Sequence, residues 1–225
     1  MERPNFYCVK WGTKYTAEHV NRLYRMVEKN TSLPFTFTCL TDDPTGIISE
    51  VDTIPLEFHF EGWWNKIHLF EYCSDGLNVY FDLDVVIQNN LDWLLKDTGK
   101  LQLIDYSWHN PWDPNNMNRY EHDLSYNSSV MIWKGKRQEI ANTFDESVRF
   151  NLRTFRGLDG FLSSEIPNDM FQSLPEGAVY SRTRGCAFKD LPSKDKLFFE
   201  PSYTICIFNN SIDEKYYKGY EEFFL

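Results

Sequence analysis

No stretch of this 225-residue chain is apolar for long enough to cross a membrane, and no signal or transit peptide is visible. The expectation is a cytoplasmic chain. The phosphate loops GxGxxG and GxxxxGKS/T are missing, so the usual dinucleotide and P-loop readings lack their cradle. There is no internal repeat, low-complexity tract or linker. Cysteine is sparse and unpaired in pattern: Cys8, Cys39, Cys73, Cys186 and Cys206 are odd in number and form no CxxC. They read as reduced, buried thiols of an intracellular protein. Three glycosylation sequons, at Asn30, Asn127 and Asn209, read as chance matches without a secretory signal. Basic residues are in deficit, 23 against 33 acidic ones, for a net charge of −10. That excludes nucleic acid and anionic membranes as partners of the whole chain. An anionic substrate would need a local cation, either Lys/Arg or a metal.

What is present is an ordinary globular composition, 42% hydrophobic, with a high aromatic share of 17%. The aromatics supply a core, with a surplus that suits stacking on sugars or bases. Apolar runs and helical stripes alternate, which predicts one α/β sheet with helices on both faces. Phe6–Val9 reads as a strand, followed by the loop Lys10-Trp11-Gly12. Thr16 caps a helix whose stripe is Val20, Leu23, Tyr24 and Val27. Phe35–Leu40 is a second strand ending near Asp42, which reads equally as a turn former or an acceptor for a base or ribose. Ile47–Val51 reads as a weaker strand, and Gly62 opens a helix reaching about Tyr72.

The stretch Asn78–Ile87 carries the chemistry. It reads as one buried strand with Asp82 and Asp84 on the same side, since strand side chains alternate. Two carboxylates in an apolar run lose hydration and repel each other, so they call for a neutralising cation. Hard oxygen donors suit Mg²⁺ or Mn²⁺. Lys66 stands in an apolar setting shortly before them, placed either for a phosphate or as a snorkelling surface Lys. Beyond the Leu101–Ile104 strand, the long aromatic connection from Asp105 to Tyr126 is a candidate ligand-binding surface, with Trp and Tyr rings suited to stacking on sugar faces. Its His109 and His122 have no zinc-ligand spacing. Asn127–Trp133 starts polar and becomes a strand. Lys136–Leu152 reads as one helix with Ile140, Phe144, Val148 and Leu152 on a stripe. Asp159, beside Gly157 and Gly160, is an active-site carboxylate or a helix cap. Pro167–Pro175 reads as irregular, Gly177–Ser181 and Thr204–Phe208 as late strands, and the tail from Asp213 as a surface helix.

These motifs, in this order, resemble the nucleotide-sugar-dependent glycosyltransferases of the GT-A fold. The likeness is in particular to family eight, the glycogenin and bacterial galactosyltransferase group, and to related small bacterial and viral enzymes. Val79–Ile87 is similar to its "YLDxD" strand, Tyr126–Ile132 to "FNSGVM" with Ser129 for Gly, and Leu158–Leu162 to "DQxxLN" with Gly160 for Gln. The resemblance implies a single GT-A domain over residues 1–225, a Rossmann-like mixed and mostly parallel sheet flanked by helices. It implies transfer from a UDP-sugar or GDP-sugar to a glycan or other hydroxyl acceptor. Asp82 and Asp84 would hold Mn²⁺ or Mg²⁺. Cys8, Val9, Lys10 and Gly12 would line the nucleotide, with Asp42 and Lys66 beside it. Asn127, Ser129 and Asp159 would contact the donor sugar or acceptor, with Asp82 shared between metal and donor. Asp159 would be the base of an inverting reaction, or would orient the sugar in a retaining one. The family's third metal ligand, a His in "HFxG", is replaced by Ile207, leaving Asn209 or water as substitute and Lys215 or Lys218 for the phosphate. A metal-dependent phosphoesterase and a non-catalytic carbohydrate binder are the competing readings.

Overall fold

Strand residues point alternately to the two faces of a sheet, and this chain uses both faces. The computed structural model describes residues 3–56, 60–105, 126–186, 197–208 and 217–224. In β1 (Asn5–Lys10), Phe6 and Cys8 enter one core while Tyr7 enters the other. The same split recurs in β2 (Thr36–Thr41), β4 (Leu77–Phe81) and β7 (Tyr126–Lys134). In β6 (Leu101–Asp105) Leu101 and Leu103 enter one core and Ile104 the other, and the register with β7 is irregular between Leu103 and Ile104. With the edge strands β3 (Asp52–Pro55) and β8 (Phe171–Ser173), these form a seven-stranded sheet of order β3-β2-β1-β4-β7-β6-β8. It is mixed and mostly parallel, with β7 antiparallel to both of its neighbours.

One face is covered by α1 (Ala17–Asn30) through Val20, Leu23, Met26 and Val27. Thr16 stands at its N-cap, and His19 Nδ1 accepts the Thr16 N–H at 3.1 Å. The other face is covered by a 3₁₀ helix (Gly62–His68), α2 (Leu69–Tyr72), α3 (Gln138–Asp145) and α5 (Leu158–Glu165). The expected α/β fold with helices on both faces is therefore what forms.

Several local expectations are corrected. Asn78–Ile87 is two strands: β4 ends at Phe81, and β5 (Val85–Ile87) joins β9 (Val179–Ser181) and β10 (Ile205–Ile207) in a separate three-stranded sheet. Asp82-Leu83-Asp84 is the turn between the sheets, which keeps the two carboxylates out of a dry ladder where they would be costly. Ile47–Val51 forms turns, and the strand follows it as the largely exposed β3, ending on Pro55 as an edge strand tolerates. The helix expected over Lys136–Leu152 breaks at Glu146-Ser147 into α3 and α4 (Val148–Thr154). A stripe repeated every four residues drifts around a 3.6-residue helix, so Val148 and Leu152 would have left the core. Pro167–Pro175 contains β8, parallel to β6. In the tail, Tyr220 is fully buried against Phe199 and Phe208 instead of lying on a surface helix. Residues 106–125, Asn209 and Lys215 lie outside the described residues.

Candidate active site

In open α/β sheets, ligands bind at the carboxyl ends of the strands, and the polar residues converge there. β7 runs antiparallel to β4, so its N-terminal residues reach the end where β4 finishes, and the Asp82 N–H donates to Ser129 O at 2.9 Å. Lys66, six per cent exposed, projects from the 3₁₀ helix to the same point. Its ammonium lies 2.8 Å from Asp82 Oδ1 and 3.1 Å from Oδ2, and donates to Ser128 O and Oγ at 3.4 and 3.3 Å. It also sits 5.3 Å from the centre of the Tyr80 ring. Tyr80 donates its hydroxyl to Asp82 Oδ1 at 2.5 Å. Burial, then the Asp82 charge, pushes the Tyr80 phenol well up, so it stays a donor.

Asp159 enters from the first turn of α5. Its Oδ2 accepts from Asn127 Nδ2 at 2.9 Å, and its Oδ1 from the Ser128 N–H at 2.9 Å and from the Ser128 hydroxyl. Ser128 thereby ties Asp159 to Lys66. Asn127 Oδ1 accepts the Ser129 N–H at 3.0 Å, a closed local turn. Lys66, Asp82, Asn127, Ser129 and Asp159 are thus brought together in one network.

Asp84, five per cent exposed, has its backbone carbonyl on the Phe208 N–H at 3.1 Å. Its carboxylate accepts a hydrogen bond from Tyr15; burial, then the charges of Asp84 and Asp82, pushes the Tyr15 phenol far up. Tyr217 is pushed up to about 12 by burial, with Arg22 opposing and Asp84 adding. Both carboxylates therefore act on one tyrosine. Ile207 lies opposite Val85 in the small sheet, beside this turn, with an apolar buried side chain. Among the described residues no group of three His, Cys, Asp or Glu side chains gathers as a metal cage. Asp82 and Asp84 offer only oxygen donors, the chemistry that a hard divalent cation takes.

The nucleotide-side expectations are placed less uniformly. Lys10 is buried and donates to Asp43 O at 3.0 Å. Asp42 accepts the Gly12 N–H at 3.0 Å and so holds the loop after β1, where Gly12 has φ of 65°. Cys8 is packed in the core with no exposed surface, so it does not line the site as the resemblance implied, and Val9 is half-buried. Tyr80, Ser128 and Tyr15 were missed from the sequence. Tyr80 sits two residues before Asp82, and Ser128 follows Asn127, so proximity to the motifs was the available signal.

Three solved structures share this arrangement of elements. The galactosyltransferase LgtC, in complex with donor and acceptor sugar analogs, is 12% identical with a TM-score of 0.62, over 91% of this chain and 87% of that one. The chain has a glycosyltransferase fold. The glycosyltransferase GlyE of Streptococcus pneumoniae TIGR4 is 12% identical with a TM-score of 0.56, over 92% of this chain and 55% of that one. The bifunctional glycosyltransferase WbbM is 11% identical with a TM-score of 0.58, over 92% and 46%. The chain thus spans about half the length of the latter two. Identities this low establish fold alone. No family model and no curated protein matches the sequence. No helix among the described residues is long and apolar enough to cross a membrane.

Proposed function

We propose that this chain is a metal-dependent glycosyltransferase related to family eight. It would move a sugar from a UDP-sugar, or a GDP-sugar in second place, to a hydroxyl of a glycan or similar acceptor. The observation that carries this reading is the single network Tyr80–Asp82–Lys66–Ser128–Asp159–Asn127 at the carboxyl edge of a glycosyltransferase-type sheet. Asp82 and Asp84 would hold Mn²⁺ or Mg²⁺, which supplies Lewis-acid stabilisation of a leaving diphosphate. Lys66 adds a positive charge at the same place, where negative charge grows as the glycosidic bond breaks. Lys10, Gly12 and Asp42 would shape the nucleotide end, beside the half-buried Val9. Asn127 and Ser129 would present polar groups to the donor sugar.

Both oxygens of Asp159 are engaged by Asn127 and Ser128. This favours the retaining arrangement, in which Asp159 orients the sugar, over its use as the base of an inverting one. The five free thiols fit a reducing compartment such as the cytoplasm. The test is a melting-temperature screen of UDP-, GDP- and other nucleotide-sugars with and without MnCl₂. Stabilisation by one nucleotide-sugar only with metal is expected. Metal-independent stabilisation, or turnover of simple phosphodiesters in place of sugar transfer, would displace the reading.

A further inference from the structure

Two adjacent tryptophans open the 3₁₀ helix and have opposite fates. Trp64 is buried against Phe144 and Phe161, while Trp63 keeps 41% of its surface exposed. Side chains three apart nearly eclipse in a 3₁₀ helix, so Trp63 stands on the face that carries Lys66, whose ammonium rests on Asp82. From the other direction, Trp63 packs on Gly157, where an added Cβ would lie 3.4 Å from Trp63 Cβ and 3.6 Å from Cε3. Gly157 immediately precedes α5, two residues before Asp159. Arg156 holds its guanidinium over the indole, 5.7 Å from the ring centre. Two chain segments, each bearing a member of the network, therefore place one exposed indole at its rim.

Its position along the sheet edge decides what it would meet. Asp42 follows β2, Lys10 ends β1 and Gly12 lies just beyond it, Asp82 follows β4 and Asn127 is the second residue of β7, in the order of adjacent strands. Trp63 packs on the segment that opens α5 and carries Asp159, which Asn127 of β7 holds, so it stands on the side away from the β1–β2 end where the nucleotide would lie. An indole offers a rigid apolar face at small entropic cost, and a guanidinium backing it adds donors for hydroxyl groups. That combination suits the C–H face of a pyranose ring together with its equatorial hydroxyls.

We propose that Trp63, backed by Arg156, is the acceptor subsite and takes a saccharide ring. This rests on the transferase reading and adds the residues that would hold its second substrate. The test uses the full chain with UDP and MnCl₂, and lactose, maltose and cellobiose as probes, read by saturation-transfer NMR. The wild type should bind at least one disaccharide saturably. Trp63→Ala should weaken that binding tenfold or more, Arg156→Ala at least threefold, and Trp63→Phe should restore most of it. UDP signals and melting temperature are read in the same samples, and UDP should bind Trp63→Ala as it binds wild type. Sugar binding unchanged in Trp63→Ala, or absent from wild type that binds UDP, overturns the subsite. Sugar binding that depends on Trp63 without any UDP binding supports the subsite and overturns the donor reading instead.

Discussion

Replacing Lys66 by Met removes the cation from the centre of the network while keeping the apolar stem. Lys66 is buried, contacts both oxygens of Asp82 and also bonds Ser128. Stripping one partner from a buried ion pair costs about 3–5 kcal/mol. The Asp82 side chain retains 19% exposure, which lets water screen the orphaned charge; the expected loss is therefore about 2–3 kcal/mol. For a chain of this length that is a fall of roughly 5–10 °C in melting temperature. Urea unfolding in EDTA measures it without interference from metals. The double variant Lys66→Met with Asp82→Asn should recover part of the loss, by about 1–3 kcal/mol relative to additivity. A Lys66→Met protein within about 0.5 kcal/mol of wild type, or strict additivity with Asp82→Asn, would refute the claim that this pair is coupled.

Asp82→Asn and Asp84→Asn should each abolish sugar transfer while leaving a cooperative unfolding transition; full transfer by either variant, or by wild type in excess EDTA, removes the metal role. Gly12→Ala should cost about 1 kcal/mol through its left-handed backbone alone, since a Cβ there meets nothing within 4 Å, and Gly12→Asn should cost less. Calorimetry comparing the two decides it. Burial pushes the Asp92 carboxyl up, but hydrogen bonds from Ser32, Thr31 and Asn90 outweigh it and hold the group below its ordinary 3.8. Its contribution is full above that value and lost as pH falls through the lower folded value. Asp92→Asn should therefore be less stable than wild type at neutral pH, with the gap closing in acid; a gap that widens in acid would contradict the sign.

The large sheet was legible because Phe6, Phe37, Val79, Leu103 and Ile132 sit in apolar runs bounded by turn residues. Of the site network, Lys66 and Asp82 were legible because each is a charge in an apolar setting, Asp159 because it stands beside Gly157 and Gly160, and Asn127 through the resemblance of its segment to the family motif. The division of Asn78–Ile87 was not, because β5 finds its partner in β10, far along the chain, and no local pattern records that. The edge strand Asp52–Pro55 was missed because it is largely exposed and has no buried pattern to read. Tyr15 escaped because its role depends on the loop after β1 folding back over the Asp82–Asp84 turn. That is a tertiary event without a sequence period.

The pairing of Val85 with Ile207 has a consequence for synthesis. On the ribosome, the large sheet can gather β1 to β4 early, but the strand that follows Asp84 waits for β10, far along the chain. Such non-local closure is slow. The acidic turn therefore stays half-built until β10 has been made, and an interrupted chain ending before β10 would carry every carboxylate of the site without the frame that holds Asp84 in place.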